Sequence, residues 1–310
     1  MGQIAAAGAA SGRRPKWRRR NLMDLAYSFL LLAPVLAVLF VVVGYPLARG
    51  VYFSFHDATP FTEVPRFVGF DNFTHLLGDP TFHTAVVNTL VFNTASVVGG
   101  FFIGFAYALL LNRDSRVVRL IRAIAIMPWI VPYVVVGYLF LFMFNGRMGI
   151  INYALQQVGL IQDFLPWFSR GQLAMTAVVT ANIWQQYPFF LLMLLAGLQS
   201  VPTEVVDAAR VDGAGSLAVF RYVTLPHLTG IILISTTLMI INNFNNFPII
   251  WTMTSGGPVN ATTTLVVLVF RTAFNDFNFG YAAAIATIWL AGLLAFSQIY
   301  IRAMRGEVAA

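Results

Sequence analysis

The sequence contains no cysteine and only one lysine, Lys16, and 10% of its 310 residues carry a charge. Without cysteine there is no disulfide framework, no thiol nucleophile and no thiolate metal site. Lys16 sits in no glycine-rich turn ending in Lys-Ser or Lys-Thr, so the chain has no phosphate-cradling loop and cannot draw on ATP by itself. No Asp, Glu, Lys, Arg or His falls in the central part of any long apolar stretch, where ion-coupled transporters and proton pumps place ionisable groups. That argues for an external energy source and against a channel or self-sufficient secondary transporter, which would also show an inverted repeat. There is no HExxH pair, no aspartate dyad and no serine with a base beside it, so no catalytic residue is assigned and no enzyme is expected.

What the chain has in abundance is apolar length. Hydrophobic residues make up 58% of it, outside the range of soluble domains, and the expectation is an all-α, polytopic membrane protein with six transmembrane helices. The spans fall at about 28–48, 86–111, 123–144, 173–198, 228–251 and 280–301, each near the ~20 residues that cross a ~30 Å hydrocarbon core. A cleaved signal peptide competes for the first, but its apolar run is long and no small-x-small site follows it.

Basic residues orient the spans. Fourteen of the 19 lie in the tail over 1–24, in Arg113, Arg116, Arg119 and Arg122, in the segment over 199–227 or near the C-terminus; the other five are Arg49, Arg66, Arg147, Arg170 and Arg271. The bias puts both termini, including 306–310, and the 199–227 segment in the cytoplasm. The tail reads as a topology signal that meets anionic lipid headgroups, and nucleic acid is not expected as a partner. Outside lie a loop from Arg49 to His83, in which Asp71 caps a short helix ended by Gly78, and a stretch with an interfacial helix from Ile150 to Val158 ended by Gly159. His56, His75 and His83 match no metal-binding spacing, so no metal site is assigned. Gly99, Gly100 and Gly104 would let a second helix approach the second span closely. Pro128 and Pro132 should bend the third.

Two spans carry amides and aromatics in place of charges. Asn182, Gln185 and Gln186 lie within roughly 100° of helical arc, flanked by Trp184 and Tyr187 and followed by Pro188; Asn242, Asn243, Asn245 and Asn246 lie within about 160°, followed by Pro248. Interhelical hydrogen bonding is one reading, worth about 0.6 to 2 kcal/mol per bond. The other is a polar path for an uncharged, hydroxyl-rich substrate, with Trp184, Gln185, Gln186, Tyr187, Asn242, Asn243 and Asn246 as its lining.

The one long charged segment among the spans is EVVDAARVDGAGSLAVFRYVTLP, Glu204 to Pro226. It reads as two short helices: Pro202 leads in, Thr203 caps the first, Asp212-Gly213 breaks it with a positive φ, and Ser216 caps the second. The segment resembles the EAA loop of ABC-importer permeases in Glu204, Ala208, Ala209, Asp212, Gly213, Ala214, Leu225 and Pro226, although the motif's first alanine is Val205 here. FVGFDNF (67–73), LAGLQSVP (195–202) and TSGGPVNATTTL (254–265) extend the resemblance toward the carbohydrate-importer branch. It implies the ABC-importer permease fold in the cell (inner) membrane. It also implies that Glu204 to Ala214 couple to an ATP-binding subunit dimer, with ATP and Mg bound there and no cofactor in this chain. A second permease subunit and an extracytoplasmic sugar-binding protein are the further partners, the last touching Gly256, Gly257 and Pro258. The function implied is that of a permease subunit forming half of the path for a sugar or related polyol.

Overall fold

The structure is a computed structural model describing residues 22–61 and 63–308. The basic tail lies outside the described residues except for its last three positions, as do the final two residues of the C-terminal segment. The chain divides into two compact units, 1–49 and 50–310. Helix α1 (Leu22–Leu39) runs through a π turn at Phe40–Gly44 into α2 (Tyr45–Ser54), whose residues from Gly50 onward belong to the second unit. The helix therefore outlasts the expected end at 48. The π turn ends two residues before Pro46, whose ring would clash with the carbonyl four residues back; one wider turn moves that carbonyl aside.

After α2 the second unit has a two-residue antiparallel pair, β1 (His56–Asp57) with β2 (Arg66–Phe67). Helix α3 (Asp71–Gly78) and the long α4 (Pro80–Leu110) follow. Phe70, not Asp71, is the cap residue of α3, and no side chain bonds there. Asp79 caps α4, accepting from the Thr81 amide at 2.7 Å, with Pro80 at the first position, where its missing donor costs nothing. Asp79 also accepts from the Tyr281 hydroxyl at 2.8 Å; partial burial opposes its ionisation, yet these hydrogen bonds hold its carboxyl below the usual value.

The third span is not one helix. Helix α5 (Arg116–Ile130) starts earlier than expected, with the Ser115 hydroxyl accepting from the Val118 amide, and α6 (Tyr133–Met143) leaves it at 97°. Proline explains the break: Val131, forced out of the helical region by the ring of Pro132, has ψ 128°, and Pro132 supplies no donor to continue the ladder. Next come α7 (Ile150–Gln157), with Gly159 at φ +73°, a 3₁₀ turn at Trp167–Ser169, and α8 (Gly171–Gln199), which continues past Pro188 without a break in the helix.

Helix α9 (Thr203–Val211) and the short α10 (Ser216–Val219) make up the charged segment. The expected second short helix and fifth span are one element: α10 passes through a π turn at Phe220–Thr224 into α11 (Leu225–Phe244), giving a continuous 29-residue run. The π turn again precedes a proline, Pro226. Helix α11 stops at Phe244, seven residues short of the expected end, and Pro248 begins a separate α12 (Pro248–Thr254). Helix α13 (Leu265–Phe270), a π turn and α14 (Phe279–Val308) complete the chain. Among the described residues, five helices can cross a membrane by length and apolarity, or six if α5 and α6 make one broken span.

Helices α4 and α8 form the centre. A Cβ on Gly104 would fall 2.5 Å from the Phe190 Cβ and 2.7 Å from the Tyr187 carbonyl oxygen, so only glycine allows the contact. Gly104→Val should therefore cost about 1 to 3 kcal/mol and lower the melting temperature of the purified protein. Gly230→Ala, where a Cβ meets nothing within 4 Å, should not lower it; equal melting temperatures for both variants would contradict this packing.

Candidate functional site

The two broken helices meet. Gly137 of α6 sits against Thr252 of α12, and both short helices pack with α8 around Val136, Phe140, Ile249 and Ile250. The starts of these helices and the last turn of α11 border an open cavity of about 510 Å³, lined by Tyr133, Leu238, Ile241, Asn242, Asn245, Asn246 and Pro248. The Tyr133 hydroxyl donates to Asn242 Oδ1 at 3.1 Å. Every polar side chain of this lining is neutral and can donate as well as accept.

The α11 amides divide between two roles. Asn242 and Asn245 are exposed on the cavity side, whereas Asn243 and Asn246 are 96% buried. Behind the cavity, Asn246 Nδ2 donates to Asn182 Oδ1 at 2.7 Å, and Asn182 Nδ2 donates to Asn243 Oδ1 at 3.0 Å. Gln186 Nε2 donates to the Ser96 carbonyl, and Asn93 Nδ2 donates to the Ile240 carbonyl at 3.0 Å. This chain of amides ties α4, α8 and α11 together. Asn246 belongs to both the chain and the cavity, and its Oδ1 has no protein partner.

Of the seven residues assigned to a polar path from sequence, the structure thus places Asn242 and Asn246 at the cavity and Asn243 and Gln186 in the tie between helices. Gln185 is buried beside the Tyr133 hydroxyl. Trp184 packs on Phe140 with ring centres 5.5 Å apart, and Tyr187 stacks on Tyr107 at 5.4 Å. Neither lines the cavity; the aromatic that does is Tyr133, whose only mark in the sequence is its place directly after Pro132.

In the charged segment, α9 buries no residue. Pro202 is its cap residue and Thr203 is already helical, without a capping bond; the next helix likewise starts from Gly215 with Ser216 inside it. Glu204 stands in the first turn, favourable at the positive end of the helix dipole. The far end is a Schellman motif: the Gly213 amide donates to the Arg210 carbonyl at 3.0 Å and the Ala214 amide to the Ala209 carbonyl at 2.9 Å, with Gly213 at φ +87°. Ala208 lies on the exposed surface of this helix and Ala209 is half-buried; Asp212 closes the helix, and Val211 is 87% exposed.

The GGP turn lies between α12 and α13. Gly256 is buried at φ +90°, and a Cβ there would fall 2.4 Å from Thr263 Oγ1, which donates to the Gly256 carbonyl at 2.9 Å. Asn88 of α4 donates to the carbonyls of Asn260 and Thr263, and Arg271 donates to Asn260 Oδ1 at 2.7 Å. Gly256 therefore shapes the loop from inside, Gly257 and Pro258 are half-buried, and the tip is Val259, 98% exposed. His56 and His83 each place a ring nitrogen on a backbone carbonyl.

These elements define an α-helical, multi-pass membrane protein with a cavity between broken helices, lined by amides and a tyrosine among apolar side chains, and an exposed, charged helix-turn-helix. The family model described as binding-protein-dependent transport system inner membrane component matches residues 96–303. The sulfoquinovosyl glycerol transport system permease protein SmoG of Agrobacterium fabrum is 33% identical over 293 residues, 94% of each chain. The sn-glycerol-3-phosphate transport system permease protein UgpA of Escherichia coli is 31% identical over 302 residues, 96% of this chain and 99% of that one. A chain of a bacterial ABC transporter that imports the acidic polysaccharide alginate shares the fold, with a TM-score of 0.74 at 21% identity over 92% of this chain and 98% of that one. The chain belongs to the binding-protein-dependent transport system inner membrane components, and it is a permease of an ABC importer.

Proposed function

We propose that this chain forms half of the translocation path for a sugar or related polyol. A substrate-binding protein outside the cell membrane delivers the cargo, and ATP hydrolysis on a separate subunit pair drives it inward. The observation that carries the reading is the cavity at the two helix breaks, whose polar wall groups, Tyr133, Asn242, Asn245 and Asn246, are neutral and can each donate and accept. Hydroxyls of a sugar match such groups, whereas a phosphate would meet no cation there. Trehalose and maltose name the relative MalF of Thermococcus litoralis, 31% identical over 277 residues, 89% of this chain and 93% of that one. A solved alginate importer was crystallised with its periplasmic protein bound, which supports a binding protein as a partner for this chain too.

A second permease supplies the other wall of the path. The exposed segment from Glu204 to Ala214 docks on an ATP-binding dimer that holds ATP and Mg, and the loop with Gly257 and Pro258, through its Val259 tip, meets the binding protein. Both termini are cytoplasmic. The test is to express the chain with its partner subunits, purify the complex and measure ATP hydrolysis with the binding protein across a sugar panel. Stimulation by one neutral sugar or polyol is expected. Uptake by this chain alone in vesicles without ATP would instead establish a self-sufficient transporter.

A further inference from the structure

Helix α5 carries a pattern that the transport reading leaves unused. Arg122 is engaged: through Nε and Nη2 its guanidinium donates to the carbonyls of Leu111 and Arg113, clamping the end of α4 to the start of α5. Arg113, Arg116 and Arg119 are exposed beside this clamp and make no side-chain hydrogen bond or ion pair among the described residues. Asp114 is the one acidic residue between Leu111 and Ile130, so the hairpin keeps an excess of positive charge.

The angular order along α5 is specific. At about 100° per residue, Arg116, Arg119, Leu120, Ile124 and Met127 share one face, while Ala125 and Pro128 lie on the buried side. Leu120, Ile124 and Met127 are all more than half exposed. The face therefore reads cation, cation, then aliphatic. From Arg119 to the helix end at Ile130 is about 16 Å of rise, the depth of one leaflet of a ~30 Å hydrocarbon core, and there the chain turns away by 97°. A lipid presents the same order, a charged head above an apolar tail.

We infer that this face of α5 is a binding site for an anionic phospholipid, with the headgroup held by Arg113, Arg116 and Arg119 and an acyl chain lying along Leu120, Ile124 and Met127. Arginine suits the role, since its guanidinium grips phosphate oxygens in pairs and its stem lies on apolar surface. The clamp by Arg122 fixes the backbone at the headgroup end, so binding has the three arginine side chains to order and not the hairpin that carries them.

The experiment uses the assembled importer, stripped of lipid in detergent and titrated with phosphatidylglycerol or phosphatidylcholine, with retained lipids counted by native mass spectrometry. The wild type should retain phosphatidylglycerol about tenfold better, and the double variant R116Q/R119Q should lose most of that preference. If the variant fails to assemble, salt decides: on the wild type the preference should fall as sodium chloride is raised. Inorganic phosphate, exchanged for chloride at matched ionic strength, should not displace the lipid, because it has no chain to occupy the aliphatic part of the face. Equal retention of the two lipids, a preference unchanged by R116Q/R119Q, indifference to salt or displacement by phosphate would each overturn the proposal. Retention is read without cargo or nucleotide, so it stands or falls separately from the sugar reading.

Discussion

Gly213→Val should abolish transport while the importer still assembles in the membrane. Gly213 closes α9 at φ +87°, a conformation in which a β-branched side chain costs about 1 to 3 kcal/mol. The cost is purely of backbone, since a Cβ at this position meets nothing within 4 Å. The turn relieves the strain by opening, and the two Schellman hydrogen bonds to Arg210 and Ala209 go with it. No buried residue anchors α9, so the helix then loses its fixed angle to α10, which is continuous with the membrane-crossing α11. Closure of the ATP-binding dimer would no longer be passed to the cavity at the far end of that helix. Uptake in reconstituted vesicles should drop by orders of magnitude, with cargo no longer stimulating ATP hydrolysis. Gly215→Ala, at φ −70° and with open space around its Cβ, should keep both. Wild-type uptake in Gly213→Val would remove α9 from the coupling route.

The amides should separate into two classes on substitution. Asn242→Leu removes a cavity-side group whose one side-chain partner is the Tyr133 hydroxyl. A cargo hydroxyl left without its partner costs about 1 to 3 kcal/mol, so handling of the preferred sugar should weaken by roughly tenfold to a hundredfold with little change in melting temperature. Asn182→Leu does the opposite. It leaves Asn246 Nδ2 and Asn243 Oδ1 buried without partners, each at about 1 to 3 kcal/mol, and should lower the melting temperature sharply while the ranking of transported sugars stays the same. The pair is measured together, as complex stability and as uptake across a sugar panel. A changed ranking in Asn182→Leu at unchanged stability, or lost stability with unchanged uptake in Asn242→Leu, would reverse the assignment.

Why the sequence separated these amides poorly is physical. A helical wheel places Asn242, Asn243, Asn245 and Asn246 on a common broad face, and nothing local says which of them meets Asn182 across 61 or 64 positions of chain. Tyr133 joins Asn242 from 109 residues away, so its role is set by tertiary placement alone. Local signals did better. The Asp212-Gly213 turn follows from glycine's freedom at positive φ, the close approach of α4 and α8 from Gly104, and the end of α7 from Gly159. Proline was read least well, because its effect depends on the neighbouring backbone. Pro132 and Pro248 stand at true breaks, Pro188 is absorbed within α8, and Pro46 and Pro226 are tolerated by a π turn just upstream, which joins the segment after Gly213 to the span it was expected to precede.

The chain's lack of cysteine allows its central claim, that α9 meets the ATP-binding dimer on one side of the membrane and the Val259 loop meets the binding protein on the other, to be read with two single-cysteine variants. Val211→Cys and Val259→Cys both place the thiol at a strongly exposed position. In intact cells carrying the whole importer, a membrane-impermeant maleimide should label position 259 and spare position 211. In inverted membranes, a cysteine at 211 should cross-link to the ATP-binding subunit. Labelling of 211 in intact cells with protection of 259 would place the coupling segment on the wrong face of the membrane and contradict the account.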